Sequence, residues 1–238
     1  MFCSKTSGDS STIDVQAAVA SSLILTMKMK NFECFASGVA ISSKRALTAL
    51  HGKIPVGTRV DIRTRNGTKL YGVVEFERFE PSMVDIAVML LDSPSSFVHF
   101  LVPCLQPVVL DQPLRVIGLK YAAIGDSVST YVKRSYVEMI EEYGDSSALF
   151  QAQYYSFDGC SGAGVVTVAV GNRLEVVGVH VASHEDSTVA AEAPGKKKHG
   201  NTEYNFEASI ASAIHGHKAY SLVCEIARVP DLVELLNG

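Results

Sequence analysis

Polar and apolar positions alternate in short runs along this chain. In Arg59-Val60-Asp61-Ile62-Arg63-Thr64-Arg65 every second residue is charged, the period of a strand with one exposed face. Runs rich in β-branched and aromatic residues predict strands over 22–28, 35–41, 59–63, 69–76, 86–91, 114–119, 127–132, 149–155, 164–169, 175–181 and 220–227. Asn66-Gly67 and Gly171-Asn172 each separate two such runs, as hairpin turns do. Helical periodicity is scarce. Pro230 and Asp231 suit a first turn, and Leu232, Val233, Leu235 and Leu236 supply an apolar face for a C-terminal helix. A short second helix is expected over 138–144.

Many short strands with few helices predict an all-β sandwich or barrel. Between Asp92 and Pro113 four prolines interrupt the pattern, so this stretch is expected to link two β halves. The segment 183–201 is rich in small and charged residues and holds Lys196-Lys197-Lys198-His199, which predicts a surface loop. The 238 residues suffice for a large buried core, and 47% hydrophobic against 19% charged residues suits a compact domain. A net charge of −4 provides no global basic field, so nucleic acid is not an expected partner. No apolar run approaches the roughly 20 residues that span a bilayer. The polar start does not read as a secretory signal. Five scattered cysteines without a Cys-x-x-Cys pair predict reduced thiols and a cytoplasmic location.

The chemistry-bearing positions come in a telling order. His51 closes the apolar run Leu47-Thr48-Ala49-Leu50, Asp85 opens Ile86-Ala87-Val88, and Ser161 stands last in Gly159-Cys160-Ser161-Gly162. Each alone is most simply structural. Together they supply a nucleophile (Ser161), a base (His51) and a carboxylate to orient the base (Asp85). Gly159 allows an unusual backbone, so its N–H and that of Ser161 could receive an oxyanion. Gly159-x-Ser161-x-Ala163 also approaches the nucleophile elbow of esterases, but in that fold the Asp and His follow the serine.

Ser37-Gly38-Val39-Ala40-Ile41, Leu47-Thr48-Ala49-x-His51, Asp85-Ile86-Ala87-Val88 and Gly159-x-Ser161-Gly162 together resemble the trypsin/chymotrypsin-like serine protease superfamily. The resemblance covers most of the chain. It implies two antiparallel six-stranded β-barrels with a short C-terminal helix and a His-Asp-Ser triad in the cleft. It implies an N-terminal extension over 1–20, a first barrel over 21–98, a linker over 99–112, a second barrel over 113–228 and the helix over 229–238. No cofactor or metal is implied. A disulfide beside the histidine is not expected, since Gly52 follows His51 and Ala36 takes the other position. Cys160 stands where digestive relatives carry an aspartate, so the chain is expected to fold directly into its active form.

Gly178-Val179-His180-Val181-Ala182 is similar to the Gly-x-His segment of picornavirus-type main proteases, their serine relatives and glutamyl endopeptidases. That resemblance implies a specificity pocket formed by His180 and Ser156, and cleavage of a protein or polyprotein after Glu or Gln. An imidazole and a hydroxyl can both donate to such side chains. Cysteine-dependent relatives have glycine directly after the nucleophile, so the register favours Ser161 over Cys160. The alternative function is a catalytically silent protease-fold module that binds peptide or RNA. His184, His199, His215 and His217 are expected at the surface, and His215-Gly216-His217 lacks a cluster that would complete a metal site.

Overall fold

The structure is a computed structural model that describes residues 11–28, 33–51, 54–80, 83–92, 99–122, 127–140, 147–154, 156, 159–169, 173–184 and 220–238. Strands β1 (Ser22–Lys28), β2 (Glu33–Ala40), β3 (Arg45–Thr48), β4 (Arg59–Thr64), β5 (Lys69–Glu80) and β6 (Val84–Leu91) close into a barrel in the order β1-β2-β3-β6-β5-β4. A two-residue strand β7 (Val102–Pro103) follows in the crossover. Then come β8 (Pro113–Ala122), β9 (Ser127–Met139), β10 (Leu149–Ala152), β11 (Gly164–Val168), β12 (Leu174–His184) and β13 (Tyr220–Glu225). These six run in the order β11-β8-β9-β10-β13-β12, and pairing of β11 with β12 closes the ring. Closure leaves neither barrel an open edge. All pairings within the barrels are antiparallel, unlike the parallel sheet an esterase elbow requires; β7 alone joins in parallel, against β12.

The apolar pattern of β6 explains how the barrels meet. Its sequence Val84-Asp85-Ile86-Ala87-Val88-Met89-Leu90-Leu91 is nearly continuous because both strand faces are covered. Ala87, Met89 and Leu91 fill the first barrel with Leu23, Val60 and Ile62. Ile86 and Val88 face outward into a second cluster, shared with Ile117, Val166, Val179 and Cys224 of the other barrel. The interior of the second barrel is separate and holds Phe150, Tyr154, Val165, Val177 and Val223.

Several elements differ from the sequence expectation. Residues 11–20, expected as an extension without assigned structure, form helix α1 (Ser11–Ala20), with Ala18 and Val19 buried in the inter-barrel cluster. Its apolar residues are not gathered on one stripe, so no helical period announces it. The side chains of Ser21 and Ser22 donate to the Ala18 carbonyl at 2.7 and 3.1 Å and anchor its end. The helix expected to begin at 138 is corrected: Glu138 and Met139 continue β9, where the pairing of Met139 with Gln151 of β10 holds the chain in strand, and 141–144 lie outside the described residues. The strand expected over 149–155 stops at Ala152, and the one expected to reach 227 gives way to a 3₁₀ turn at Ile226–Arg228. The C-terminal helix forms as α2 (Pro230–Asn237), and its Leu232 is buried. The turn at Asn66-Gly67 joins β4 to β5, while Gly171-Asn172 and most of 183–201 lie outside the described residues. No helix among the described residues is long and apolar enough to cross a membrane.

Candidate active site

His51 follows β3, Asp85 is the second residue of β6, and pairing of β3 with β6 brings the two strand ends together. Asp85 is almost fully buried, with 6% of its side chain exposed, and a carboxylate there needs donors. It has three. Its Oδ1 accepts from the Leu50 N–H at 2.9 Å; its Oδ2 accepts from the His51 N–H at 3.0 Å and lies 3.0 Å from His51 Nδ1. To present consecutive N–H groups to one carboxylate the chain turns sharply, and His51 takes a φ of 54°, a left-handed conformation uncommon outside glycine. The other ring nitrogen, Nε2, lies 2.5 Å from Ser161 Oγ. The Asp85–His51–Ser161 chain is therefore continuous across the two barrels.

The nucleophile turn is clamped from both sides. From the second barrel, the Gly162 N–H donates to the His180 carbonyl at 2.8 Å and the His180 N–H donates to the Ala163 carbonyl at 2.9 Å. From the first barrel, the Ser37 N–H donates to the Ser161 carbonyl at 2.7 Å. Gly162 sits at the closest approach. A Cβ there would lie 2.1 Å from the Ser37 carbonyl oxygen and 2.3 Å from Thr48 Oγ1, with φ already at +83°. Gly159 is different, because its φ is +89° but a Cβ would meet no atom of the described residues within 4 Å. Cys160 is buried at 1% exposure beneath the turn, so Ser161 and not Cys160 meets His51.

A bulge aims His180. Between Val165 and Val166 the pairing of β11 shifts from Gly178 to Val176, leaving Val177 as the extra residue on β12. After that shift Val179 and Val181 face the inter-barrel cluster, and His180 turns toward the second-barrel side. There the Tyr154 hydroxyl lies 2.6 Å from His180 Nδ1, with the ring centroids 5.5 Å apart. Burial, aided by the nearby His51, lowers the His180 pKa to about 3. Burial likewise pushes the Tyr154 phenol well above its ordinary value. At neutral pH this is a pair of two uncharged rings. Ser156 is buried at 6% exposure, and Val181 O, one residue past His180, stands 3.5 Å from Ser161 Oγ.

Tyr154 is the site residue the sequence reading missed. Its signal was faint: a tyrosine two positions before Ser156, 26 residues from its partner. Cys224 also went unnoticed. Its buried thiol lies against the Asp85 main chain, and burial pushes its pKa up to about 12. Among the described residues no cluster of three or more His, Cys, Asp or Glu is placed to hold a metal; His199, His215 and His217 lie outside them.

No model of a known family matches the sequence, and no curated protein matches it either. Solved structures do. The serine endoprotease from Yersinia pestis superposes with a TM-score of 0.60 at 13% identity, over 95% of this chain and 66% of that one. The Rv3671c protease from M. tuberculosis, in its active form, gives 0.58 at 16% identity, over 94% of this chain and 84% of that one. This chain thus spans about two thirds of the Yersinia protein's length. Identity this low carries the fold alone, and the fold is the chymotrypsin-like double barrel of these two proteases.

Proposed function

We propose that the chain is a serine endopeptidase that cleaves a protein or polyprotein by acyl-enzyme chemistry. The observation that carries this reading is the 2.5 Å contact of Ser161 Oγ with His51 Nε2, backed by Asp85 on Nδ1 of the same ring. His51 takes the Ser161 proton as Oγ attacks the scissile carbonyl, and Asp85 stabilises the imidazolium. The oxyanion is received by the N–H groups of Gly159 and Ser161, each donor worth about 10²–10³ in rate. His51 then protonates the leaving amine, the acyl-enzyme forms, and water completes the cycle by the same route in reverse. No cofactor enters.

The same reading assigns His180 and Ser156 to the pocket for the residue before the scissile bond. A phenol held protonated by burial donates to His180 Nδ1, which leaves the proton of the neutral ring on Nε2. Nε2–H is then a donor for the side-chain oxygen of Glu or Gln, and both His180 and Ser156 expose as little as a pocket floor would. The Gly178-Val179-His180 pattern supports a virus-type or glutamyl-endopeptidase-type member. Cys104, Cys160 and Cys224 stand outside any disulfide, which favours a reducing, cytoplasmic setting.

Cleavage of a diverse peptide library, read by mass spectrometry, tests this directly. Cuts after Glu or Gln that vanish in Ser161→Ala and lose selectivity in His180→Ala are expected. Undiminished cutting by Ser161→Ala would overturn the nucleophile, and a wild type that binds peptides without cutting them would make the chain a binding module.

A further inference from the structure

Ser37 belongs to β2 of the first barrel, is fully buried, and touches the nucleophile turn twice. Its N–H donates to the Ser161 carbonyl at 2.7 Å, and its Oγ–H donates to the Gly159 carbonyl, also at 2.7 Å. The Leu119 carbonyl of β8 lies 3.1 Å from the same hydroxyl. One proton serves two carbonyls, and the shorter contact goes to Gly159. The Ser37 carbonyl is held in turn by Thr48 Oγ1 at 2.7 Å, on the strand that leads to His51.

Gly159 and Ser161 are the two residues whose N–H groups would receive the oxyanion. Ser37 holds both of their carbonyls, from the other barrel. This matters most at Gly159, where no atom of the described residues lies within 4 Å of a Cβ position and φ is +89°. A glycine that no described neighbour crowds has little steric reason to keep one conformation, and the hydrogen bond from Ser37 to its carbonyl supplies a restraint. We propose that Ser37 is a positioning residue for the oxyanion hole, its hydroxyl holding Gly159 in the conformation that presents the N–H to the transition state. This deepens the serine-endopeptidase reading and rests on it. Preorganisation of this kind acts on the charged transition state and hardly on the neutral ground state. Loss of the hydroxyl therefore lowers kcat and leaves KM nearly unchanged.

The test is steady-state kinetics of Ser37→Ala and Ser37→Cys, together with affinity for a peptide aldehyde, whose adduct needs the oxyanion hole, and for a product-like peptide acid. Ser22→Ala, which removes another buried hydroxyl from the first barrel, controls for general loss of stability. Ser37→Ala is expected to lower kcat roughly tenfold or more and to weaken the aldehyde by the same factor, with KM and peptide-acid affinity within about twofold. Ser37→Cys keeps a weaker donor at similar volume and is expected to fall between. If Ser37→Ala does not fold, the cysteine variant carries the comparison alone. Kinetics and aldehyde affinity equal to wild type per folded molecule would overturn the proposal, as would losses that only track melting temperature as in Ser22→Ala. A wild type that cleaves nothing would sink the protease reading instead, a result distinct from either.

Discussion

The Tyr154 hydroxyl and His180 Nδ1 lie 2.6 Å apart in the second barrel, and both groups are buried. The bond decides which nitrogen of a neutral ring carries the proton. Without it the imidazole can adopt either tautomer, and one of them presents a lone pair where the proposed Glu/Gln pocket calls for a donor. Tyr154→Phe should therefore raise KM for Glu and Gln substrates roughly fivefold, the equivalent of about 1 kcal/mol, and change kcat little. Kinetics on matched peptides check this, and a fall in kcat at constant KM would contradict it.

His180 should also titrate out of its ordinary range. Its folded pKa, about 3, lies below the ordinary 6.5, so the native ring stays neutral while the unfolded chain takes up a proton. Stability from this group is complete above 6.5 and is lost as pH falls toward about 3. Imidazole NMR should show the His180 ring neutral at about pH 5. A midpoint near 6.5 would contradict the burial argument.

The two glycines of the nucleophile turn should fail in different ways. Gly162→Ala drives a Cβ into backbone 2.1 Å away and should cost ~3 kcal/mol or more, enough to prevent folding. Gly159→Ala meets no neighbour among the described residues and strains φ, at about 1–2 kcal/mol. It should fold and lose on the order of 10²-fold in kcat. Denaturant melts beside kinetics separate the two, and equal stability of both variants would contradict the close-packed turn.

What was legible in the sequence follows from the range of the forces involved. His51 and Asp85 could be read because one closes and the other opens an apolar run whose burial fixes a strand end, and Ser161 because it stands in a glycine-flanked turn after them. The strands could be read for the same local reason, though not their limits. β5 extends past Phe76 through Glu77, Arg78 and Glu80, since pairing with β6 holds charged residues in strand after the shift between Val74 and Phe76. Helix α1 was hidden because its burial is set by both barrels and not by its own periodicity. Tyr154, Cys224 and Ser37 act across elements that only the closed barrels bring together, so no spacing along the chain announces them.

Glu225 gives a prediction about the barrel crossover. Its fully buried carboxylate accepts from the Val108 N–H at 2.6 Å and pairs with Arg228 at 2.9 Å, yet burial outweighs both and raises its pKa. For a carboxyl with a raised folded pKa, stability is complete below the ordinary 4.5 and falls as pH rises through the folded value. Glu225→Gln should flatten the fall in stability that sets in as pH rises above the ordinary 4.5. A profile unchanged in the variant would show that another group sets it.

An activated Ser161 nucleophile is the premise of the proposed hydrolysis. Intact mass spectrometry after reaction with a peptidyl phosphonate tests this without knowledge of the natural substrate. One adduct is expected, located on Ser161, absent in Ser161→Ala and strongly slowed in His51→Ala. No adduct, or an adduct on Cys160 or elsewhere, would contradict it.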